Sequence, residues 1–256
     1  MKGLKNRFIG VIRVCIASAL APTTLILVWS TSLFAYEVSP LVLDLDSDGP
    51  ASIAQIEIRN TLDRAIALEL NVLERVIDSN SSNETALAEG NFMLTPPQVF
   101  LERGVSVSVS LKWTGPEDIN QTIPYYIQVS QLPIDLEPQQ KVQGVQFVTN
   151  FFIAVYVSPP GADAEVVIDS VVKSDASAKV VLKNKGRRYA RLSDLKVKMF
   201  DTKSGFERIF SALSGIAQGE NGQNGLIMAG QQRELDFDIP SFSQIEGLEV
   251  IVLSNN

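Results

Sequence analysis

Apolar and polar residues alternate with a period of two along most of this chain. The clearest run is Val105-Ser106-Val107-Ser108-Val109-Ser110-Leu111. Strict alternation puts every apolar side chain on one face of an extended strand and every serine on the other. The stretch from Ala65 to Val76 does the same, with Ile66, Leu68, Leu70 and Val72 on one face. Val38 to Leu45, Ile53 to Asn60, Tyr125 to Leu132 and Val145 to Val157 continue the pattern. Turn-forming clusters separate these runs, among them Asp46-Ser47-Asp48-Gly49-Pro50, Asn80-Ser81-Ser82-Asn83, Pro96-Pro97 and Gly115-Pro116. Many short strands divided by such turns predict an all-β sandwich.

Pro159-Pro160-Gly161 interrupts the series. Consecutive prolines cannot continue a central strand, so this is the expected linker. A second series follows at Glu165–Val172, Ala178–Leu182, Ser193–Phe200, Arg233–Ile239 and Leu248–Leu253. Residues 206–216 read equally well as a helical turn or a loop. The expected domains are a sandwich over 36–160 and another over 161–256.

Residues 1–35 have a different pattern. Lys2, Lys5, Arg7 and Arg13 precede an apolar run from Val14 to Trp29, and small or polar residues lead to Ala35. That order is the one found in a cleaved secretory signal, which predicts export. An uncleaved anchor is the other reading, although Pro22 interrupts a run shorter than a comfortable span. Cys15 lies inside this segment, so cleavage after Ala35 leaves a chain without cysteine.

Composition narrows the chemistry. The 256 residues include no histidine and one cysteine. Catalysis with an imidazole base and structural zinc sites therefore have no ligands or base to use. The net charge is −7, and becomes −11 once the four cations of residues 1–35 are removed. An acidic chain is poorly suited to the phosphates of nucleic acid. Asp44-Leu45-Asp46-Ser47-Asp48-Gly49 resembles half of a calcium loop, but Gln55 stands where the bidentate glutamate belongs. A polar turn between strands is the expectation. Gly219 to Gly225 reads as a hairpin loop, because no helix and no lysine follow it. Lys183 to Arg191 carries five cations and reads as a solvated turn or a basic patch. No pair of carboxylates stands out for glycoside hydrolysis. The reading is of a non-enzymatic protein with no metal, cofactor or small-molecule substrate.

The stretch from Gly144 to Pro159, GVQFVTNFFIAVYVSP, has two readings. It fits a buried central strand. It also fits an edge strand whose backbone and apolar face are offered to a partner, a recognised mode of binding.

In order and spacing, several segments resemble the PapD-like pilus-assembly chaperones of the chaperone–usher pathway. They are VSPL at 38–41, IEIRNTLDRAI at 56–66, LTPPQVFLERG at 94–104, LKWTGP at 111–116, YYIQVSQLPI at 125–134, TNFFIAVYVSPPGA at 149–162 and VLKNKGRRYARLSDL at 181–195. LKWTGP and YYIQVSQLPI are most similar to the archaic, Csu-like branch. The resemblance implies two immunoglobulin-like β-sandwich domains in a boomerang arrangement, located in the periplasm. It implies partners of two kinds, pilin or fimbrial subunits and an outer-membrane usher. It also implies that the chain lends a strand, Gly144–Val157, to complete a subunit, with Val145, Phe147, Thr149 and Phe151 as the lent side chains. Self-association through the same edge strand is a further implication. The Arg and Lys that such chaperones place in the cleft fall at Pro40 and Ala154 here, so both cations are absent. Lys112 and Tyr126 are the candidate cleft contacts instead. A stand-alone structural or adhesion protein of the same shape is the alternative.

Overall fold

The computed structural model describes residues 36–77, 82–88, 90–133, 149–174, 176–201, 204–216, 225–239 and 247–254. Those residues form two β-sandwiches joined at Pro159-Pro160-Gly161, with only short 3₁₀ turns besides strands.

The first sandwich contains β1 (Glu37–Ser39), β2 (Val42–Asp46), β3 (Ile53–Arg59), β4 (Ile66–Ile77), β5 (Ser82–Leu87), β6 (Phe92–Thr95), β7 (Gln98–Leu101), β8 (Ser106–Trp113), β9 (Ile123–Gln131) and β10 (Asn150–Ser158). One sheet runs β1-β3-β8-β6 and the other β2-β10-β9-β4-β5, with β7 also paired to β4. All pairs are antiparallel except β2 with β10, which is parallel. The alternation works as the pattern predicts. Ile66, Leu68, Leu70 and Val72 are buried against Val109, Leu111 and Trp113 from the facing sheet, with Ile127, Val129, Ile153 and Val155 beside them. Burying each such side chain contributes about 1.5–3 kcal/mol.

The run from Val38 to Leu45 is not one strand. The chain crosses from one sheet to the other at the cis Ser39–Pro40 bond, so β1 pairs with β3 while β2 pairs with β10. The aspartate-rich turn ends β2 and leads through a 3₁₀ turn at Pro50–Ser52 into β3, between strands as expected.

The second sandwich contains β11 (Val166–Lys173), β12 (Ser177–Asn184), β13 (Ala190–Arg191), β14 (Leu195–Asp201), β15 (Phe206–Ser211), β16 (Leu226–Ile227), β17 (Gln232–Asp238) and β18 (Glu249–Ser254). Its sheets run β11-β12-β17 and β15-β14-β18, with β13 and β16 paired alone. Val180, Leu182, Val197, Met199, Leu235 and Phe237 form its core. Residues 206–216, read as a helical turn or a loop, are strand β15 followed by a 3₁₀ turn at Ala212–Gly215. Phe206 and Phe210 pack on the core from that strand, which is why it extends. The glycine-rich stretch lies outside the described residues except for Gly225.

Each sandwich pins one corner with a buried asparagine, and the two use the same offsets. The Asn60 side-chain amide donates to the carbonyls of Arg64 (2.8 Å) and Leu101 (3.1 Å), while its oxygen accepts from the Leu62 N–H (3.0 Å). The Asn184 amide donates to Arg188 (2.7 Å) and Ile227 (3.0 Å), while its oxygen accepts from the N–H groups of Gly186 (3.0 Å) and Glu165 (3.1 Å). Buried backbone groups need such partners, and one amide side chain supplies several at once.

Candidate functional site: an open strand edge beside an aromatic and cationic face

Strand β10 continues the segment read from the sequence as a lent strand. One side of it is fully paired with β9, from Asn150 opposite Ser130 to Val157 opposite Ile123. On its other side β2 covers Ala154 to Ser158. No strand among the described residues covers Asn150 to Ile153 on that side, so their edge is open. An open edge presents unpaired N–H and C=O groups that another chain can use.

Val145 and Phe147 lie outside the described residues. Thr149 stands at the start of β10, and its carbonyl oxygen accepts a hydrogen bond from the Tyr36 hydroxyl (3.0 Å). Phe151 is half-buried and shares the inward face with Ile153, Val155 and Val157. Its ring meets the Tyr36 ring edge-on at 4.9 Å.

The other face of β10 carries Phe152, Ala154 and Tyr156. Tyr126 is opposite Ala154 on β9, and Leu73 is opposite Tyr126 on β4. Phe152 remains 38% exposed, and its ring packs edge-on against Tyr126 at 5.8 Å. The Arg75 guanidinium carbon lies over the Tyr126 ring, 4.2 Å from its centre, and Arg75 donates to the Tyr156 hydroxyl at 2.9 Å. Tyr126 therefore belongs to this face. Lys112 does not: it sits on β8 in the opposite sheet, exposed between Ile53 and Met93. The structure does not bring Lys112 and Tyr126 together. Arg75 is the cation that the sequence reading missed. Its only sequence signal is its odd position in the alternation of β4, which places it opposite to Ile66, Leu68, Leu70 and Val72.

The same face leads into the contact between the sandwiches. Tyr156 stacks on Tyr189 at 4.2 Å, and both join Ile77 and Met228 in a small apolar cluster. The Tyr189 hydroxyl donates to Asp44 at 2.6 Å. Arg191 reaches the other Asp44 oxygen at 2.7 Å and also contacts the Tyr189 hydroxyl, and Arg188 approaches Asp44 at 3.7 Å. Thr122 donates its N–H to the Arg187 carbonyl at 3.0 Å, and Gln231 donates to the Ile77 carbonyl at 2.6 Å. The basic run 183–191, read as a solvated turn or a patch, is thus a structural joint. Asp44, the first acid of the calcium-like motif, is taken up by two arginines and a tyrosine. Burial pushes the Tyr156 phenol above its usual range, with Arg75 pulling in the opposite direction. Burial does the same to Tyr189, and its bond to Asp44 adds to the effect.

No protein-family model matches the sequence, and no curated protein matches it significantly. Solved structures do. The class 5 fimbriae chaperone CfaA is 12% identical over 86% of this chain and 99% of its own, with a TM-score of 0.57. A chain of the CsuC–CsuE chaperone–tip adhesion subunit complex, from the archaic Csu pili of Acinetobacter baumannii, is 15% identical over 86% of this chain and 98% of its own, with a TM-score of 0.52. A chain of the Salmonella enterica SafA pilin–SafB chaperone complex is 12% identical over 88% of this chain and 99% of its own, with a TM-score of 0.51. With its two sandwiches and their order along the chain, this protein has the fold of the chaperones of chaperone–usher pili.

Proposed function

We propose that this chain is a periplasmic chaperone that binds pilin or fimbrial subunits, completes their fold with its own strand and passes them to an outer-membrane usher. The observation that carries the reading is the open edge of β10 at Asn150–Ile153, continuous with the apolar segment GVQFV just before it. The fold it shares with pilus chaperones, some of them bound to a pilin or an adhesin subunit, supports it.

The lent side chains are Val145, Phe147 and Thr149, with Phe151 at the boundary of the chaperone's own core. Apolar burial contributes about 25 cal/mol for each Å² removed from water, and main-chain hydrogen bonds along the edge add direction. The reaction needs no nucleotide, metal or cofactor, because the folding of the subunit drives it. Arg75, held over the Tyr126 ring, puts a cation on the face beside Ala154, where the family resemblance places a lysine. Residues 1–35 would direct export.

Co-expression with a pilin-like subunit encoded beside this gene tests the reading. Wild-type chain is expected to recover a soluble one-to-one complex, and Phe147→Asp to lose it, because an aspartate cannot enter an apolar groove without a partner. Full recovery with Phe147→Asp would rule out the strand-lending role. Failure of any subunit to bind would favour a stand-alone structural or adhesion protein.

A further inference from the structure

We propose that Tyr36 is the positioning residue that sets where the lent strand leaves its own sandwich, an inference that rests on the strand-lending reading above. Tyr36 immediately precedes β1, which belongs to the β1-β3-β8-β6 sheet. Its side chain crosses the interior of the sandwich and is 3% exposed. Its hydroxyl lies 2.8 Å from the Val129 carbonyl on β9 and 3.0 Å from the Thr149 carbonyl at the foot of β10. A phenol has one hydrogen to donate, so the two carbonyls share it. Burial holds that phenol well above its usual range, which keeps it a donor.

The clamp sits where β10 is least supported. From Asn150 to Ile153 the strand is held by β9 alone among the described strands. Phe151, directly opposite Val129, is held by the edge of the Tyr36 ring at 4.9 Å. Tyr36 thus fixes one carbonyl and one side chain of consecutive inward positions. When the segment before them is extended into a subunit, its phase follows from these two positions. Side chains alternate along a strand, so a slip of one residue would turn Val145, Phe147 and Thr149 away and present Gln146, Val148 and Asn150. Phe151 becomes the first residue of the chaperone's own core, and Thr149 the last that can be lent.

The test compares the full chain with Tyr36→Phe, which keeps the ring and removes the clamp. Amide hydrogen exchange is read at Phe151 and Ile153, whose N–H groups face β9 because that of Ala154 faces β2, with β3 and β8 as internal controls. Loss of one net hydrogen bond predicts exchange at these two amides faster by roughly tenfold, with β3 and β8 unchanged. The complex with the co-expressed pilin-like subunit should dissociate several times faster. Unchanged exchange at Phe151 and Ile153 would overturn the proposal. So would an equal increase across β3 and β8, because Tyr36 would then be a general core residue. Tyr36→Leu, which also removes the edge-on contact with Phe151, should exceed Tyr36→Phe at the same amides, and equality between them would overturn the role of the ring. A chain in which Phe147→Asp still captures subunit overturns the strand-lending reading alone, since exchange in the free protein reports the clamp independently.

Discussion

Removing the carboxylate of Asp44 should uncouple the two sandwiches. Asp44 lies in the middle of β2 in the first sandwich and receives the Tyr189 hydroxyl at 2.6 Å and Arg191 at 2.7 Å from the second. Tyr189 is 5% exposed, so its bond to a charged acceptor falls in the range of about 1.5–3 kcal/mol. The arginine pairs are worth less. The side chains of Arg188 and Arg191 are 35% and 39% exposed, and such pairs contribute about 0.2–1 kcal/mol each after solvent screening. Asp44→Ala should therefore cost about 2–4 kcal/mol at the joint, and Asp44→Asn, which keeps an acceptor, about half of that. The assay is urea unfolding of the chain from Tyr36 onward, followed by two signals. Trp113, buried in the first core, reports that sandwich by fluorescence, while far-ultraviolet circular dichroism reports both. In the wild type the two curves should coincide, as expected of one cooperative unit. In Asp44→Ala they should separate. Coincident curves with a loss below about 0.5 kcal/mol, the ordinary effect of a surface change, would refute the reasoning.

Other outcomes follow from the same geometry. Asn60→Ala and Asn184→Ala should each destabilise their own sandwich by about 3 kcal/mol in chemical denaturation, because each leaves buried backbone groups without partners. Gly186→Ala should distort the loop at the joint: a Cβ there would lie 2.3 Å from the Asp163 carbonyl, which already accepts from the N–H groups of Arg187 and Arg188. Loss of at least about 2 kcal/mol in thermal unfolding is expected. Burial raises Tyr36, Tyr125, Tyr156 and Tyr189 above the ordinary tyrosine value of 10.0. A raised folded-state value means that the folded chain holds protons the unfolded chain has released. Their contribution is therefore fully present below about pH 10 and is lost progressively above it. Denaturation at stepped pH should show this fall, with a shallower slope for Tyr189→Phe.

The strands were legible because each core face repeats every second residue. Val107, Val109 and Leu111 point inward from β8 just as their alternation with serine requires. Sheet membership was hard to read, since Val38 to Leu45 is one apolar-rich run in which only a change of parity, from Val38 to Leu41, Leu43 and Leu45, marks the change of sheets at Pro40. The function of the basic run was hidden for a different reason. Arg188 and Arg191 look the same in sequence whether they face water or an aspartate some 145 residues earlier in the chain, as Tyr189 does with Asp44. Arg75 needed the sheet order to be seen beside Tyr126. Tyr36 was hidden by its position at the very start of the first domain, where alternation has no run to act on. The lent segment itself could be read only through a family resemblance, because an apolar strand has the same pattern whether its edge is covered by its own sheet or by a partner.

The central claim is that the open edge of β10 and the segment before it are what a subunit receives. Amide exchange across residues 145–153, measured with and without a bound pilin-like subunit, tests it most directly. The account predicts strong new protection across the segment from Val145 to Ile153 on binding, with exchange in β4 and β9 unchanged. A bound subunit that leaves exchange at these residues unchanged would contradict it.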